Sequence, residues 1–306
     1  MKKKVNFSAA IAFLFLWSFI FPIAYSQVII QDNQKIFSNR LGRNVNYSVM
    51  LPSDYFKTDK SFPVIYLLHG FGGDYKSWLL RCNIAVLVDS LLKQNEISEF
   101  IYIMPDAGNS YYINNYDSSV MYNDFFRDEL VPVIDTQYRS LNRKEMRSVM
   151  GLSMGGFGSV ILAVKNPDLF GNVVAFSPAV RNEEQMDMLT QRQYDVFFGP
   201  VYGIGLTGEG RTTDHWKDHS PYYLVDSASS GKYKDINWYI ECGLGDPLLT
   251  ASKSFHDLLL GYKIDHELHL RPGGHNWEFW YKSTISGLQF ISLKVSQYQD
   301  ESHELK

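Results

Sequence analysis

Cysteine is nearly absent: Cys82 and Cys242 are the only two in 306 residues. A chain of this length buries enough apolar surface to fold without disulfide staples, which excludes a cystine-framework protein. The two thiols could pair, or Cys242, which ends the apolar run 236–241, could stay buried and free as a small hydrophobe. Neither has the setting of a nucleophile or a metal ligand. Surplus positive charge is also missing, with 29 Lys and Arg against 33 Asp and Glu and a formal net charge of −4. No cationic surface of the kind nucleic acid demands can be built from that balance, so a nucleic-acid partner is not expected. Internal repeats and low-complexity linkers are lacking too, which argues against a solenoid or a string of domains.

What is present is apolar and aromatic. Hydrophobic residues make up 45% of the chain and aromatic ones 15%, as suits one large globular domain with a substantial core. The N-terminal segment stands apart. Lys2, Lys3 and Lys4 precede an uncharged stretch rich in Ala, Phe, Leu and Ile from residue 9 to 23, followed by Ala24-Tyr25-Ser26. This is the pattern of a secretory signal removed by signal peptidase, so residues 1–26 are expected to be a signal peptide and 27–306 the mature domain. The alternative, an uncleaved anchor, is disfavoured because the stretch is shorter than the ~20 residues of a spanning helix. No lipobox cysteine follows it. A secreted or periplasmic location without stable membrane insertion is the expectation.

Beyond that segment, apolar Val45, Tyr47, Val49 and Leu51 recur at every second position, a period of two that fits an antiparallel strand with one covered face. Short continuous apolar runs follow at 63–68, 100–104, 148–152 and 173–176, bounded by Gly, Pro, Asp or Ser, which predicts buried parallel strands. Helical spacing predicts helices over 79–93, 122–137 and 156–165, and a later round of strand 236–241, helix 252–262 and strand 266–270. The alternation predicts an α/β fold, a mostly parallel central sheet with helices on both faces. Residues 180–230 break the rhythm with Gly199-Pro200, Gly203, Gly205, Gly208 and Gly210, and are expected to form a cap-like insertion.

The chemistry concentrates in a few segments. In Gly151-Leu152-Ser153-Met154-Gly155 the serine follows an apolar strand and opens a helix, the context of a nucleophile elbow, whose tight turn requires small residues on either side. A serine hydroxyl needs a base and a group to orient that base. His275, in the loop Gly273-Gly274-His275-Asn276-Trp277 after the strand 266–270, is the candidate base; His266 and His269 lie within the strand pattern and fit less well. Asp246, in Cys242-Gly243-Leu244-Gly245-Asp246-Pro247 at the end of the strand 236–241, is the candidate acid, in preference to Asp226, Asp265 and Glu267. Acyl transfer further requires donors toward a developing oxyanion. The N–H groups of Met154, directly after the nucleophile, and of Phe71, in His69-Gly70-Phe71-Gly72-Gly73, are the candidates, with His69 assigned a structural part.

Together with Met104-Pro105-Asp106 and Trp277, these segments resemble the esterase D and feruloyl esterase-like family of the α/β-hydrolase superfamily, over nearly the whole mature chain. The resemblance implies an α/β-hydrolase fold and hydrolysis of carboxylic esters by a triad falling on Ser153, Asp246 and His275. The family includes feruloyl and acetyl xylan esterases, short-chain acyl esterases, S-formylglutathione hydrolases and mycolyltransferases, so hydrolysis and acyl transfer both stay open. Residues 199–223 match no family pattern.

Trp78, Tyr111, Tyr112 and Trp277 are the candidate substrate-binding aromatics, being on predicted loops or their edges where rings stack on a phenolic acyl group or a sugar; Tyr116, Trp216, Tyr222 and Tyr223 share that placement. The partner expected is a small-molecule or carbohydrate-linked ester. His215 and His219 have the spacing of a helical zinc pair, but a third ligand and a catalytic glutamate are lacking, so neither metal nor cofactor is expected. A catalytically silent carbohydrate-binding protein on the same fold is the remaining alternative.

Overall fold

The computed structural model describes residues 26–226 and 229–304. The predicted signal segment therefore lies, but for Ser26, outside the described residues. Among these, eight strands form a single sheet: β1 (Val28–Ser38), β2 (Arg43–Pro52), β3 (Val64–Leu68), β4 (Ile101–Pro105), β5 (Arg147–Leu152), β6 (Asn172–Phe176), β7 (Asn237–Gly243) and β8 (His266–Arg271). Their order across the sheet is β1-β2-β4-β3-β5-β6-β7-β8. The first two pairings are antiparallel and all the others parallel. β3, β4, β5 and β6 are buried along their whole length, as strands covered on both faces must be, which is why they read as unbroken apolar runs.

Helices α1 (Ser77–Arg81) and α2 (Ile84–Lys93) follow β3, and α3 (Tyr122–Phe125) and α4 (Val131–Gln137) follow β4. The nucleophile strand leads into α5 (Met154–Lys165). Five short helices separate β6 from β7: α6 (Glu183–Asp187), α7 (Gln191–Phe197), α8 (Gly199–Tyr202), α9 (Asp214–Lys217) and α10 (Pro221–Leu224). α11 (Leu249–Gly261) precedes β8, and α12 (Trp277–Glu304) ends the described chain. The pleat divides the core. Val149, Val173 and Ala175 face the layer containing α5, whereas Met150, Val174 and Phe176 face Leu288 and Ile291 of α12.

Two predicted helices are interrupted. The one expected over 79–93 breaks at Cys82-Asn83, where Asn83 takes φ 51°, a left-handed conformation that asparagine tolerates. The one expected over 122–137 contains a π turn, Phe126–Leu130, immediately before Pro132 in the first turn of α4; the wider turn accommodates a residue that cannot donate to the preceding turn. Both cysteines are buried and free, and burial pushes each thiol up to about 11. No helix among the described residues is long and apolar enough to cross a membrane.

Candidate active site

The strand register brings the functional loops to one edge. Leu68 pairs with Gly151, Leu152 with Phe176, Phe176 with Glu241, and Gly243 with Arg271. The loops after β3, β5, β6, β7 and β8 therefore leave the sheet side by side, at the carboxyl ends where parallel sheets bind ligands.

Ser153 sits on the turn between β5 and α5 with φ 57° and ψ −115°, a strained conformation for any residue with a side chain. The turn is held from β6: the Ser153 N–H donates to the Phe176 carbonyl at 2.9 Å, and the Ser153 carbonyl accepts from Ala179 at 3.2 Å. A Cβ on Gly151 would stand 2.2 Å from the Gly155 carbonyl oxygen, and one on Gly155 would stand 2.3 Å from that of Leu68. Crowding, as well as conformational freedom, selects glycine at both positions.

The structure brings the three predicted site residues into contact. His275 Nε2 lies 2.9 Å from Ser153 Oγ, and His275 Nδ1 lies 2.9 Å and 3.1 Å from the two Asp246 carboxylate oxygens. The carboxylate only accepts, so Nδ1–H donates to Asp246 and Nε2 is free to accept the serine proton. Burial raises the Asp246 carboxyl, but donors from His275, the Leu248 N–H at 2.7 Å and Ser177 outweigh it and hold the group below the usual carboxylate range.

The loop after β3 is fixed by His69. Its Nε2 accepts from the Ala107 N–H at 3.0 Å, so Nδ1 carries the proton and donates to the Gly70 carbonyl at 2.8 Å. Burial depresses the imidazole's basicity and keeps it neutral. The Gly70 carbonyl also accepts from the Gly73 N–H, which leaves the Phe71 N–H with no protein acceptor among the described residues. The Met154 N–H, in the first turn of α5, has no intrahelical acceptor and none outside the helix among the described residues. These are the two amides expected from the sequence to face an oxyanion.

Beside Ser153 opens a cavity of about 490 Å³, a size that suits a small ester. Its walls include Phe71, Arg81, Phe197, Trp277 and Trp280. Of the predicted substrate-binding aromatics only Trp277 lines it; three are corrected. Trp78 is fully buried and packs edge-on against Trp277 at 5.8 Å, behind the wall. Tyr111 is buried between Phe157 and Phe198. Tyr112 is fully buried, its hydroxyl donating to the His69 carbonyl at 3.0 Å. Trp78 turns inward from α1, and Tyr111 and Tyr112 sit on a loop that is itself packed inward. Tyr116, Trp216, Tyr222 and Tyr223 lie outside the cavity lining. Phe197 is not among the expected aromatics and comes from the stretch 180–230 expected to form a cap-like insertion, whereas Trp280 shares the first turn of α12 with Trp277 and is legible from i, i+3 spacing. His215 and His219 bring their rings within 4.5 Å, yet among the described residues no three His, Cys, Asp or Glu side chains are grouped to hold a metal ion.

A strained serine on a strand-to-helix turn, a histidine and an aspartate on successive later strand ends, and a mostly parallel sheet define an α/β-hydrolase. Residues 38–291 match the family described as "Putative esterase", and the chain belongs to it. An acetyl esterase of Caldicellulosiruptor saccharolyticus is 25% identical over 277 residues, covering 85% of this chain and 97% of the relative. Esterase Rv1288 of Mycobacterium tuberculosis is 27% identical over 260 residues; the match takes in 78% of this chain but only 54% of that longer protein. Among solved structures, a ferulic acid esterase superposes with a TM-score of 0.74 at 24% identity, covering 89% of this chain and 100% of the other. FphF, a fluorophosphonate-binding serine hydrolase of Staphylococcus aureus, gives a TM-score of 0.72 at 22% identity over 87% of this chain and 98% of its own. At these identities the two structures establish the fold. The protein is an esterase acting on acyl esters.

Proposed function

We propose that this esterase is an exported serine carboxylesterase working through an acyl-enzyme on Ser153. The observation that carries this is the continuous contact Asp246, His275, Ser153 at 2.9 Å per step beside an aromatic-walled cavity. His275 Nε2 takes the serine proton as Oγ attacks the ester carbonyl, and the carbonyl oxygen gains a negative charge facing the Phe71 and Met154 N–H groups. Collapse expels the alcohol, which leaves with the proton from His275. Water then attacks the acyl-enzyme by the same route and releases the acid and free serine.

Phe71, Phe197, Trp277 and Trp280 offer ring faces and edges to a flat or cyclic group, which supports a feruloyl, acetyl or short-chain acyl ester, carried on a carbohydrate. The decisive experiment compares Ser153→Ala with the parent on p-nitrophenyl acetate, p-nitrophenyl butyrate and methyl ferulate, together with fluorophosphonate labelling. Loss of turnover and of labelling in folded protein is expected; retained turnover would overturn the mechanism. Sugar acceptors added to the same panel divide hydrolysis from acyl transfer by the products formed. Export rests on the N-terminal Lys-rich and apolar pattern, and N-terminal sequencing of protein collected outside the cytoplasm is expected to begin at Gln27.

A further inference from the structure

Three hydrogen bonds tie the loop after β4 to the loop after β3. The Ala107 N–H donates to His69 Nε2 at 3.0 Å, the Tyr112 hydroxyl donates to the His69 carbonyl at 3.0 Å, and Asn109 Oδ1 accepts from the Gly72 N–H at 2.8 Å. The last of these reaches past His69 into the glycine-rich turn. A backbone N–H must meet an acceptor, so the oxygen of the Asn109 amide, and not its nitrogen, faces Gly72. Asn109 is itself presented by a tight turn in which the Ser110 N–H donates to the Ala107 carbonyl at 3.2 Å. In that turn Gly108 takes φ 52°, and its N–H donates to Asp106 Oδ1 at 2.9 Å. The segment Met104-Pro105-Asp106 leads directly into it.

A peptide unit is planar, with its carbonyl and its N–H pointing in opposite directions, so a partner that holds one end aims the other. The Phe71 N–H shares its peptide with the Gly70 carbonyl, which accepts from His69 Nδ1 at 2.8 Å and from the Gly73 N–H at 3.0 Å. The Gly72 N–H belongs to the next peptide, and Asn109 holds that one. Both planes flanking the Phe71 Cα are therefore pinned, the first by His69 and the second by Asn109. Gly72 takes φ 70°, a conformation that only the absence of a side chain makes easy to enter and easy to leave, so the turn depends on an outside anchor. We propose that Asn109 is a positioning residue for the oxyanion hole: it fixes the peptide after Phe71 and so keeps the Phe71 N–H aimed at the carbonyl oxygen of the bound ester. The proposal rests on the assignment of the Phe71 N–H as an oxyanion donor.

Asn109 is exposed, and a hydrogen bond in contact with water contributes little to overall stability. Its effect on rate is larger for a geometric reason. A donor stabilises the transition state only at about 2.7–3.1 Å from the developing oxyanion, whereas the ground-state ester is held by the aromatic walls of the cavity. Loss of the anchor therefore falls on kcat and on the affinity for tetrahedral adducts, and spares KM.

The test is Asn109→Ala, which removes the acceptor, beside Asn109→Asp, which keeps an acceptor oxygen in its place. On p-nitrophenyl butyrate, Asn109→Ala is expected to show a kcat about tenfold lower with KM within about twofold. Phenylboronic acid, which forms a tetrahedral adduct on a catalytic serine, is expected to bind it about tenfold more weakly. Asn109→Asp is expected to recover most of both losses, and both variants to melt within about 3 °C of the parent. Asn109→Leu carries the same readouts should the alanine variant fail to fold. Parental kcat and boronate affinity in Asn109→Ala, a loss confined to KM, or a loss that Asn109→Asp leaves untouched would overturn the proposal. Phe71→Pro against Phe71→Ala separates it from the assignment beneath it, because proline removes the N–H and alanine keeps it. If folded Phe71→Pro turns over like Phe71→Ala, the donor assignment itself fails; if it loses turnover while Asn109→Ala is parental, the donor stands and Asn109 does not position it.

Discussion

The Glu241 carboxylate, fully buried on β7, receives the Arg271 guanidinium from β8, with Nε at 2.9 Å from Oε1. The same carboxylate accepts from the Tyr239 hydroxyl at 2.7 Å and the Ser283 hydroxyl at 2.6 Å. β7 carries the Asp246 loop and β8 the His275 loop, and the Leu244 N–H to Arg271 carbonyl bond at 2.8 Å continues the tie. Glu241→Gln replaces a charged acceptor by an amide facing the same donors. Arg271 is 41% exposed and can return to water, so the cost is set mainly by the two buried hydroxyls, on the order of 2 kcal/mol. Urea denaturation of the variant against the parent measures it, and an unchanged midpoint would show that the pair contributes nothing.

Gly155→Ala is expected to be more damaging than any change of a cavity-lining side chain. The added Cβ meets backbone, the Leu68 carbonyl oxygen at 2.3 Å, and β3 cannot yield without moving the Phe71 loop. A stability loss of at least about 4 kcal/mol, or failure to fold, is expected from overpacking at a strained site. Circular dichroism melting and soluble yield report it.

Acid should destabilise the insertion between β6 and β7 before it reaches the carboxylates. His219 is buried, and that burial lowers its pKa to about 4 from an ordinary 6.5, with Lys165 and His215 adding positive charge and Asp124 opposing them. The unfolded chain therefore binds a proton between these values that the folded chain refuses. Stability is complete above pH 6.5 and falls as pH drops toward 4, by on the order of 3 kcal/mol from this residue. His215 and His69 are depressed in the same direction and steepen the slope. Urea midpoints measured from pH 7.5 to 4.5 are expected to fall, and less steeply for His219→Gln. A parallel slope in that variant would count against the assignment.

Arg81, exposed at the end of α1, is the one permanently charged side chain among those lining the cavity beside Ser153. No carboxylate lines the cavity with it, and no ion pair engages it among the described residues. Esters bearing a carboxylate are expected to gain from this cation. Arg81→Gln should lower kcat/KM about fivefold for p-nitrophenyl hemisuccinate or 4-acetoxybenzoate and leave p-nitrophenyl butyrate within about twofold. The hemisuccinate tests the acyl side and the acetoxybenzoate the alcohol side. Equal losses on all three esters would remove charge recognition.

The sequence made the catalytic face legible because its constraints are local. The glycines around Ser153, the apolar runs before His69 and Asp246, and the Gly-Gly before His275 each encode a strand end or turn. Elements whose pattern is mixed were hidden. β1 was not anticipated because a register shift between Gln31 and Gln34, at Asn33 with φ 57°, breaks its alternation. β8 lies at the edge and is nowhere fully buried, yet its strand is legible at 266–270 and its loop in Gly273-Gly274. The aromatics fail as predictors of a binding surface because ring type does not reveal burial: Tyr111 and Tyr112 both adopt positive φ and turn into the core, whereas Phe197 reaches the cavity from the insertion expected over 180–230.

That Phe197 lies on α7 has an evolutionary consequence. The residues proposed to make and break bonds, Ser153, Asp246 and His275, belong to loops locked together by strand register, where a one-residue change propagates across the whole sheet. Phe197 hangs from a chain excursion that enters after β6 and returns at β7, and could lengthen, shorten or be exchanged without altering a single strand pairing. Selectivity and chemistry are therefore separable inheritances in this molecule, and grafting another esterase's excursion between Ala179 and Ile236 would redirect the first while leaving the second in place.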